Sequence, residues 1–121
     1  DILPTIAELA GINSNELKDV QGESLLHLIK NENIQEREVF VETGGLYGPW
    51  PSPEKHNVFC LKKNNQKLIY NDVPQTWEFY NLEKDPMEKN NMYDENSPKI
   101  DKFKKTLIKY FKDNEIKTKL T

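Results

Sequence analysis

The chain has 121 residues, 36% hydrophobic and 31% charged, with a formal net charge of −3. One modest core fits this length, and five Phe, five Tyr and two Trp are enough large side chains to fill it, which argues against disorder. No run approaches the ~18 consecutive apolar residues of a membrane span, and Asp1-Ile2-Leu3-Pro4 is neither a Met start nor the basic start of a secretory signal. The lone Cys60 supplies no disulfide framework and no zinc thiolate set, and His27 and His56 lie too far apart for a helical ligand pair.

Residues 1–10 read as a helix with Asp1 as N-cap, Pro4 in the first turn and Gly11 as the stop. Ile2, Leu3, Ile6, Ala7, Leu9 and Ala10 leave it hardly any polar face, which suits a helix buried against a larger body. A polar stretch, 12–23, then leads to a short apolar helical turn over 24–29 and an exposed linker over 31–36.

Strand signals begin at Arg37. The β-branched run 38–43 ends at Gly44-Gly45, and 57–62 is joined through Asn64-Asn65 to Lys67-Leu68-Ile69-Tyr70, a hairpin because Asn tolerates positive φ. After a turn over 72–75 comes Trp77-Glu78-Phe79-Tyr80-Asn81-Leu82, so four short strands predict an antiparallel meander. A last helix opens with Ser97 as cap and Pro98 at its first position. Ile100, Phe103, Leu107, Tyr110 and Phe111 form its packing face, and lysines 99, 102, 104, 105, 109 and 112 fall largely on the solvated one. The expected fold class is therefore α+β, a four-stranded antiparallel sheet covered by a C-terminal helix.

Charge is graded along the chain: nine acids and three bases in residues 1–50, eight and six in 51–98, three and eight in 99–121, or −6, −2 and +5. The lysine-rich end is interleaved with an apolar face and the chain as a whole is acidic. A solvated helix face is the expectation, with neither nucleic acid nor a membrane as partner.

Three stretches, in order, resemble the C-terminal part of the sulfatase family within the alkaline phosphatase superfamily. Asp1-Ile2-Leu3-Pro4-Thr5-Ile6 with Ala10-Gly11-Ile12 is similar to the helix that closes that family's large α/β domain. Gly22-Glu23-Ser24-Leu25-Leu26, followed by Arg37-Glu38-Val39-Phe40-Val41-Glu42, resembles its G-x-S-L-L segment and the strand that opens its C-terminal subdomain. Lys67-Leu68-Ile69-Tyr70, Phe79-Tyr80-Asn81-Leu82, Asp85-Pro86-Met87-Glu88 and Asn91 resemble its K-L-I-Y … L-Y-(D/N)-L … D-P-x-E-x-x-N-L ending. His27, Phe79 and Met92 depart from the usual Pro, Leu and Leu, as size-tolerant changes expected at packing positions.

The resemblance implies three parts: residues 1–12 as the closing helix of an upstream α/β domain, 13–36 as a connecting segment with a short helix, and 37–121 as the C-terminal sulfatase subdomain. It implies a parent enzyme that hydrolyses sulfate esters with a formylglycine, made from Cys or Ser in C/S-x-P-x-R, beside a divalent cation, usually calcium. Cys60 is followed by Leu61-Lys62-Lys63, without that Pro and Arg, so core packing is its expected role. No catalytic residue or metal ligand is expected in this chain. It reads as an inactive fragment, with ~300 to 400 residues upstream on the usual size of two-part enzymes. A phosphate or phosphonate monoesterase of the same superfamily is the alternative parent, and a freestanding interaction domain is the alternative without an active site.

Two sets of residues stand out. Asp85, Pro86, Glu88 and Asn91 read as a structural motif, with Asp85 and Pro86 favouring a turn and Glu88 and Asn91 satisfying backbone donors. The loop after the first strand carries Tyr47, Trp50, Lys55 and His56, and three prolines stiffen it. The resemblance implies that this loop borders the active-site mouth. Aromatic rings stack on sugar or aryl faces and Lys or His⁺ meets sulfate or carboxylate, so these four are the candidate contacts to an anionic sulfated substrate; an exposed loop with Trp50 packed onto its own domain is the alternative.

Overall fold

A computed structural model describes residues 1–20, 22–30, 37–44 and 57–121, which fall into two compact units, Asp1–Gln35 and Glu36–Thr121. The first contains helix α1 (Ile2–Leu9), a 3-10 turn (Ser14–Leu17) and the single-turn helix α2 (Leu26–Ile29). Asp1 caps α1 differently from the expectation. Its carbonyl receives the Thr5 N–H at 3.1 Å and the Thr5 hydroxyl at 2.6 Å, while its carboxylate turns away to the Glu23 N–H at 3.0 Å. The Thr5 hydroxyl oxygen also accepts the Leu25 N–H at 2.8 Å, so the first turn of α1 supplies acceptors to the chain around Ser24. Gly22 has φ +98° there, and a Cβ would lie 2.5 Å from the Asp1 nitrogen, which explains the glycine of Gly22-Glu23-Ser24.

Gly11 (φ +74°) ends α1 in a Schellman motif, with the Gly11 N–H on the Glu8 carbonyl and the Ile12 N–H on that of Ala7. Only Pro4 and Ala7 of α1 are buried; Ile2 is 75% and Leu9 63% exposed.

The second unit is a meander of β1 (Val39–Gly44), β2 (Asn57–Lys63), β3 (Gln66–Asn71) and β4 (Thr76–Asn81), antiparallel throughout and in sequence order, followed by helix α3 (Pro98–Asp113). Asn64 at φ +55° turns β2 into β3 and Gln75 at φ +56° turns β3 into β4. Pairing places Phe40, Leu61, Leu68 and Phe79 in one row across the sheet and Glu42, Phe59, Tyr70 and Trp77 in the next row on the same face. That inner face is covered by Ile100, Phe103, Leu107 and Phe111 of α3. Phe111 meets Phe59 edge-on at 4.6 Å, Phe103 meets Phe79 at 5.5 Å and 85°, and Tyr110 stacks on Phe40 at 4.1 Å.

Ser97 begins α3 without a side-chain cap bond; its own N–H goes to the Asp94 carbonyl. Glu115, at φ +54°, ends the helix in a second Schellman motif, with Glu115 bonded to Lys112 and Ile116 to Phe111. The chain then runs back to the β3–β4 turn, where the Lys119 N–H reaches Asp72 Oδ1 at 2.7 Å and Lys119 Nζ reaches the Val73 carbonyl at 2.8 Å.

Two packing expectations change. Cys60 pairs with Val41 and Ile69 on the face away from α3, half-buried and outside the core, because period-2 alternation gives the core side to Phe59 and Leu61. Met92 is exposed, whereas Phe79 is in the core.

Phe111 and Leu68 are fully buried, and Lys105 is an exposed helix residue paired with Asp101. Phe111→Ala is expected to lower the unfolding free energy by roughly 3–5 kcal/mol and Leu68→Ala by roughly 2–5 kcal/mol. Lys105→Ala should change it by no more than about 0.5 kcal/mol. Urea denaturation followed by circular dichroism checks this, and equal midpoints for the three variants would contradict the packing described.

Candidate functional site

β4 is an edge strand, and the connection from β4 to α3 folds back along its free side. Asn81 starts the reversal, its side-chain oxygen accepting the Glu83 N–H at 3.1 Å and its carbonyl accepting the Asp85 N–H at 2.8 Å. Asp85 and Glu88 then bracket a turn closed by Glu88 N–H on the Asp85 carbonyl at 3.1 Å, with Pro86 at the position where its fixed φ fits. The Asp85 carboxylate accepts the N–H groups of Lys89 and Asn90, at 3.1 and 2.8 Å, four and five residues on rather than two. These backbone bonds, first from Asn90 and then from Lys89, hold the Asp85 carboxyl below its ordinary pKa.

Asn91 stands in for a fifth strand. Its Oδ1 accepts the N–H of Phe79 at 3.0 Å and that of Tyr93 at 2.9 Å, its Nδ2 donates to the Trp77 carbonyl at 3.3 Å, and the neighbouring Met92 N–H binds the Phe79 carbonyl at 2.8 Å. Glu88, at φ +53°, points elsewhere: both its carboxylate oxygens lie 2.8 Å from Lys67 Nζ on the outer face of the sheet. Glu88 thus meets a lysine where a backbone donor was expected.

Beside this pair the outer face holds a short polar chain, in which Asn71 Nδ2 donates to Glu78 Oε1 at 2.8 Å and the Tyr80 hydroxyl donates to Glu78 Oε2 at 2.6 Å. That bond, with burial, pushes the Tyr80 phenol up to about 12. Tyr70 is pushed to about 12 by burial and its hydrogen bond to Asp72. Burial also raises the Cys60 thiol, against the opposing charge of Lys67. At the sheet's other side Lys104 Nζ sits 4.9 Å above the Trp77 ring and donates to the Tyr93 hydroxyl at 3.2 Å, with the Trp77 and Tyr93 rings near-parallel at 6.3 Å.

Tyr47, Trp50, Lys55 and His56 lie outside the described residues; the structure shows only that Gly44 and Asn57, on either side of their loop, are cross-strand partners. Among the described residues no group of three or more His, Cys, Asp or Glu could hold a metal ion. Cys60, half-buried in mid-strand and without the flanking Pro and Arg, does not fit a formylglycine precursor. A concave region of about 210 Å³ between α3 and the β2–β3 hairpin, lined by Glu38, Lys63, Gln66 and Lys102, has its Lys63 already paired with Glu38 at 2.9 Å.

In sequence Lys67 and Tyr80 stand out only within the family ending, Glu78 only as a strand residue and Lys104 only among the lysines of the last helix. The first three share alternate positions facing away from α3, a signal that period-2 counting carries. Lys104 falls in sequence on the solvated helix face, and its aromatic partners come from Trp77 on β4 and Tyr93 beyond it.

For this four-stranded meander closed by one helix, with the Asp85 to Asn91 connection sealing β4, it is the sequence that shows the class, the C-terminal portion of a sulfatase-family protein. Residues 1–117 match the family described as N-sulphoglucosamine sulphohydrolase, C-terminal, and the chain belongs to that family. No curated protein sequence matches it. Among solved structures it is similar to a 2-O GAG sulfatase, with TM-score 0.73 and 22% identity over 96% of this chain and 25% of that one. A protein of Bacteroides thetaiotaomicron gives 0.71 and 24% over 92% and 23%. A third, solved with its substrate D-glucosamine-2-N, 6-O-disulfate, gives 0.62 and 23% over 93% and 22%. At these identities the likeness is one of fold, and the chain spans about a quarter of the length of the solved chains.

Asn91→Ala removes the acceptor of two backbone N–H groups and is expected to cost about 1–3 kcal/mol of stability, with Asn91→Asp, which keeps the acceptor, losing less. Denaturant midpoints check this; an unaffected Asn91→Ala would refute the edge-strand role. Asp85 has a depressed folded pKa, so its contribution is full above the unfolded value and is lost as pH falls through the folded one. Stability should therefore decline below about pH 4, and Asp85→Asn should flatten that acid limb in a pH series of melting temperatures.

Proposed function

We propose that this chain is the non-catalytic C-terminal part of a longer sulfatase, whose upstream α/β domain carries the formylglycine, the divalent cation, expected to be calcium, and the chemistry. The observation that carries the reading is the family match over nearly the whole chain, supported by the shared fold and by the solved chains being about four times as long. In this reading residues 1–12 close the upstream domain, 13–36 connect, and 37–121 form the C-terminal subdomain. The exposed apolar residues of α1 agree with it, since Ile2, Leu3, Ile6 and Leu9 on one short helix call for a larger body to cover them.

The Asp85, Pro86, Glu88 and Asn91 segment is structural in this proposal, because the side chains of Asp85, Glu88 and Asn91 are engaged by backbone groups or by Lys67. A sulfated saccharide of the glycosaminoglycan type is the proposed substrate class, in keeping with the substrates named for two of the similar structures. The loop tethered between Gly44 and Asn57 is proposed to border the substrate entrance, with Trp50 and Tyr47 stacking on a sugar and Lys55 and His56 meeting the anion.

The full-length protein, bearing a C/S-x-P-x-R segment upstream, should release sulfate from sulfated saccharides and lose that activity on chelation. Release of phosphate from a phosphate monoester with no sulfate release would assign it to the phosphatase side of the superfamily, and absence of both activities would defeat the enzyme reading. Trp50→Ala and His56→Ala in that protein should raise KM while leaving kcat less affected; unchanged kinetics would remove the loop from the substrate site.

A further inference from the structure

The inner face of the sheet changes character at the β2–β3 hairpin end. Beyond the row of Phe40, Leu61, Leu68 and Phe79, the next residues on the α3 side are Lys63, Gln66 and Asn81, with Glu38 reaching Lys63 at 2.9 Å. α3 passes over this polar row with Lys102, Phe103 and Thr106 and does not fill it, which leaves the concavity of about 210 Å³. Its floor is apolar, made by Leu61 and Phe103, and its walls are polar. On the outer face of the sheet the polar groups satisfy one another, through Lys67 with Glu88 and through Asn71, Glu78 and Tyr80. The hollow is different. Among the described residues the side chains of Asn64, Gln66, Lys102 and Thr106 make no hydrogen bond or ion pair, so an ammonium, two amides and a hydroxyl line one depression with their bonding capacity free.

We infer that this hollow binds one ring of a sulfated saccharide chain, with Lys102 on a sulfate or carboxylate, Asn64, Gln66 and Thr106 on hydroxyls, and the C–H face of the ring over Leu61 and Phe103. The chemical class of the ligand rests on the proposed function, while the hollow and its free groups do not. Glu38 and Lys63 cancel, so Lys102 leaves the lining with one net positive charge, which favours an anion. Sites that enclose a whole small molecule measure roughly 300–1,000 Å³, so a hollow of this size suits one unit of a longer ligand. A second concavity of about 180 Å³ shares Glu38 and Thr106 with the first and runs on along α3 past Phe40 and Tyr110, where Lys109 is already paired with Asp113 at 2.7 Å. A chain seated at Lys102 can continue there. The hollow lies at the Lys63 end of β2 and the Gly44–Asn57 loop at the other, ~20 Å away for seven residues at about 3.3 Å each. One sugar ring cannot occupy both, so the hollow is a site additional to the loop.

The test uses the full-length parent protein with the Cys or Ser of its C/S-x-P-x-R segment replaced by Ala, so that nothing is turned over, and a heparin octasaccharide as the probe. Lys102→Ala is expected to raise the Kd about three- to tenfold and Gln66→Ala at least about twofold, the loss of one hydrogen bond each. Lys102→Arg should keep most of the affinity. Lys105→Ala, on the same helix but outside the hollow, should leave the Kd unchanged. Lys102 is exposed and has no partner among the described residues, so its replacement leaves the fold intact. An unmoved Kd in both Lys102→Ala and Gln66→Ala, an equal loss in Lys105→Ala, or no binding of the octasaccharide at all would each overturn the site. If the unaltered parent releases sulfate while Lys102→Ala and Gln66→Ala bind normally, the proposed function stands and the site is lost. If it releases none, yet the two variants lose affinity, the site stands and that function is lost, so the two fail separately.

Discussion

Everything in the second unit depends on one steric requirement: two rows of aromatic and aliphatic side chains on one face of a small sheet must be kept from water, and α3 is what covers them. Phe40, Leu61, Leu68 and Phe79 in one row, and Phe59, Tyr70 and Trp77 in the next, set where Ile100, Phe103, Leu107 and Phe111 must fall on the helix. Ridges at helical spacing answer rows at strand spacing, and ring contacts such as Phe59 with Phe111 and Phe79 with Phe103 fix the helix along the sheet. Once that cover is in place, the rest of the unit is a matter of sealing ends: Pro98 opens the helix, Glu115 closes it, and the final residues tie back to Asp72.

The elements were legible in the sequence because their periods are unambiguous. Alternation through Val58 to Lys62 and Lys67 to Tyr70, with Asn64 at the turn, leaves one hairpin register, and the spacing from Ile100 to Phe111 leaves one helix face. Which side of the sheet a strand residue faces is also encoded: the chemistry of Cys60 suggests the core, but its position between Phe59 and Leu61 sends it outward. The side-chain caps expected of Asp1 and Ser97 failed for a different reason. A short polar side chain has several donors within reach, and for Asp1 the nearby Glu23 N–H won. The candidate substrate loop could be read only as composition.

The family ending, K-L-I-Y through D-P-x-E-x-x-N, becomes one structural statement when its members are placed together. Lys67 and Glu88 are joined across the outer face, and Asn91 reaches the backbone of Trp77 and Phe79, so residues far apart in the motif are partners in space. Glu88 at positive φ and Asp85 with two backbone donors show how the turn is bent to bring Asn91 beside β4. The motif is thus the means by which a sheet with an open side finishes itself before the helix begins.

The order of elements carries a consequence for synthesis. Each strand pairs with its immediate neighbour in sequence, so the meander can assemble from local contacts as it leaves the ribosome. Its cover is encoded last. Between emergence of β4 and that of α3, the aromatic inner face has no native partner, and a nascent chain paused at that point presents Phe59, Tyr70 and Phe79 together to whatever is nearby. The stretch from Leu82 to Ser97 is therefore a window of translational vulnerability, in which the sealing of β4 by Asn91 withholds at least one strand edge from aggregation while the helix is still being made.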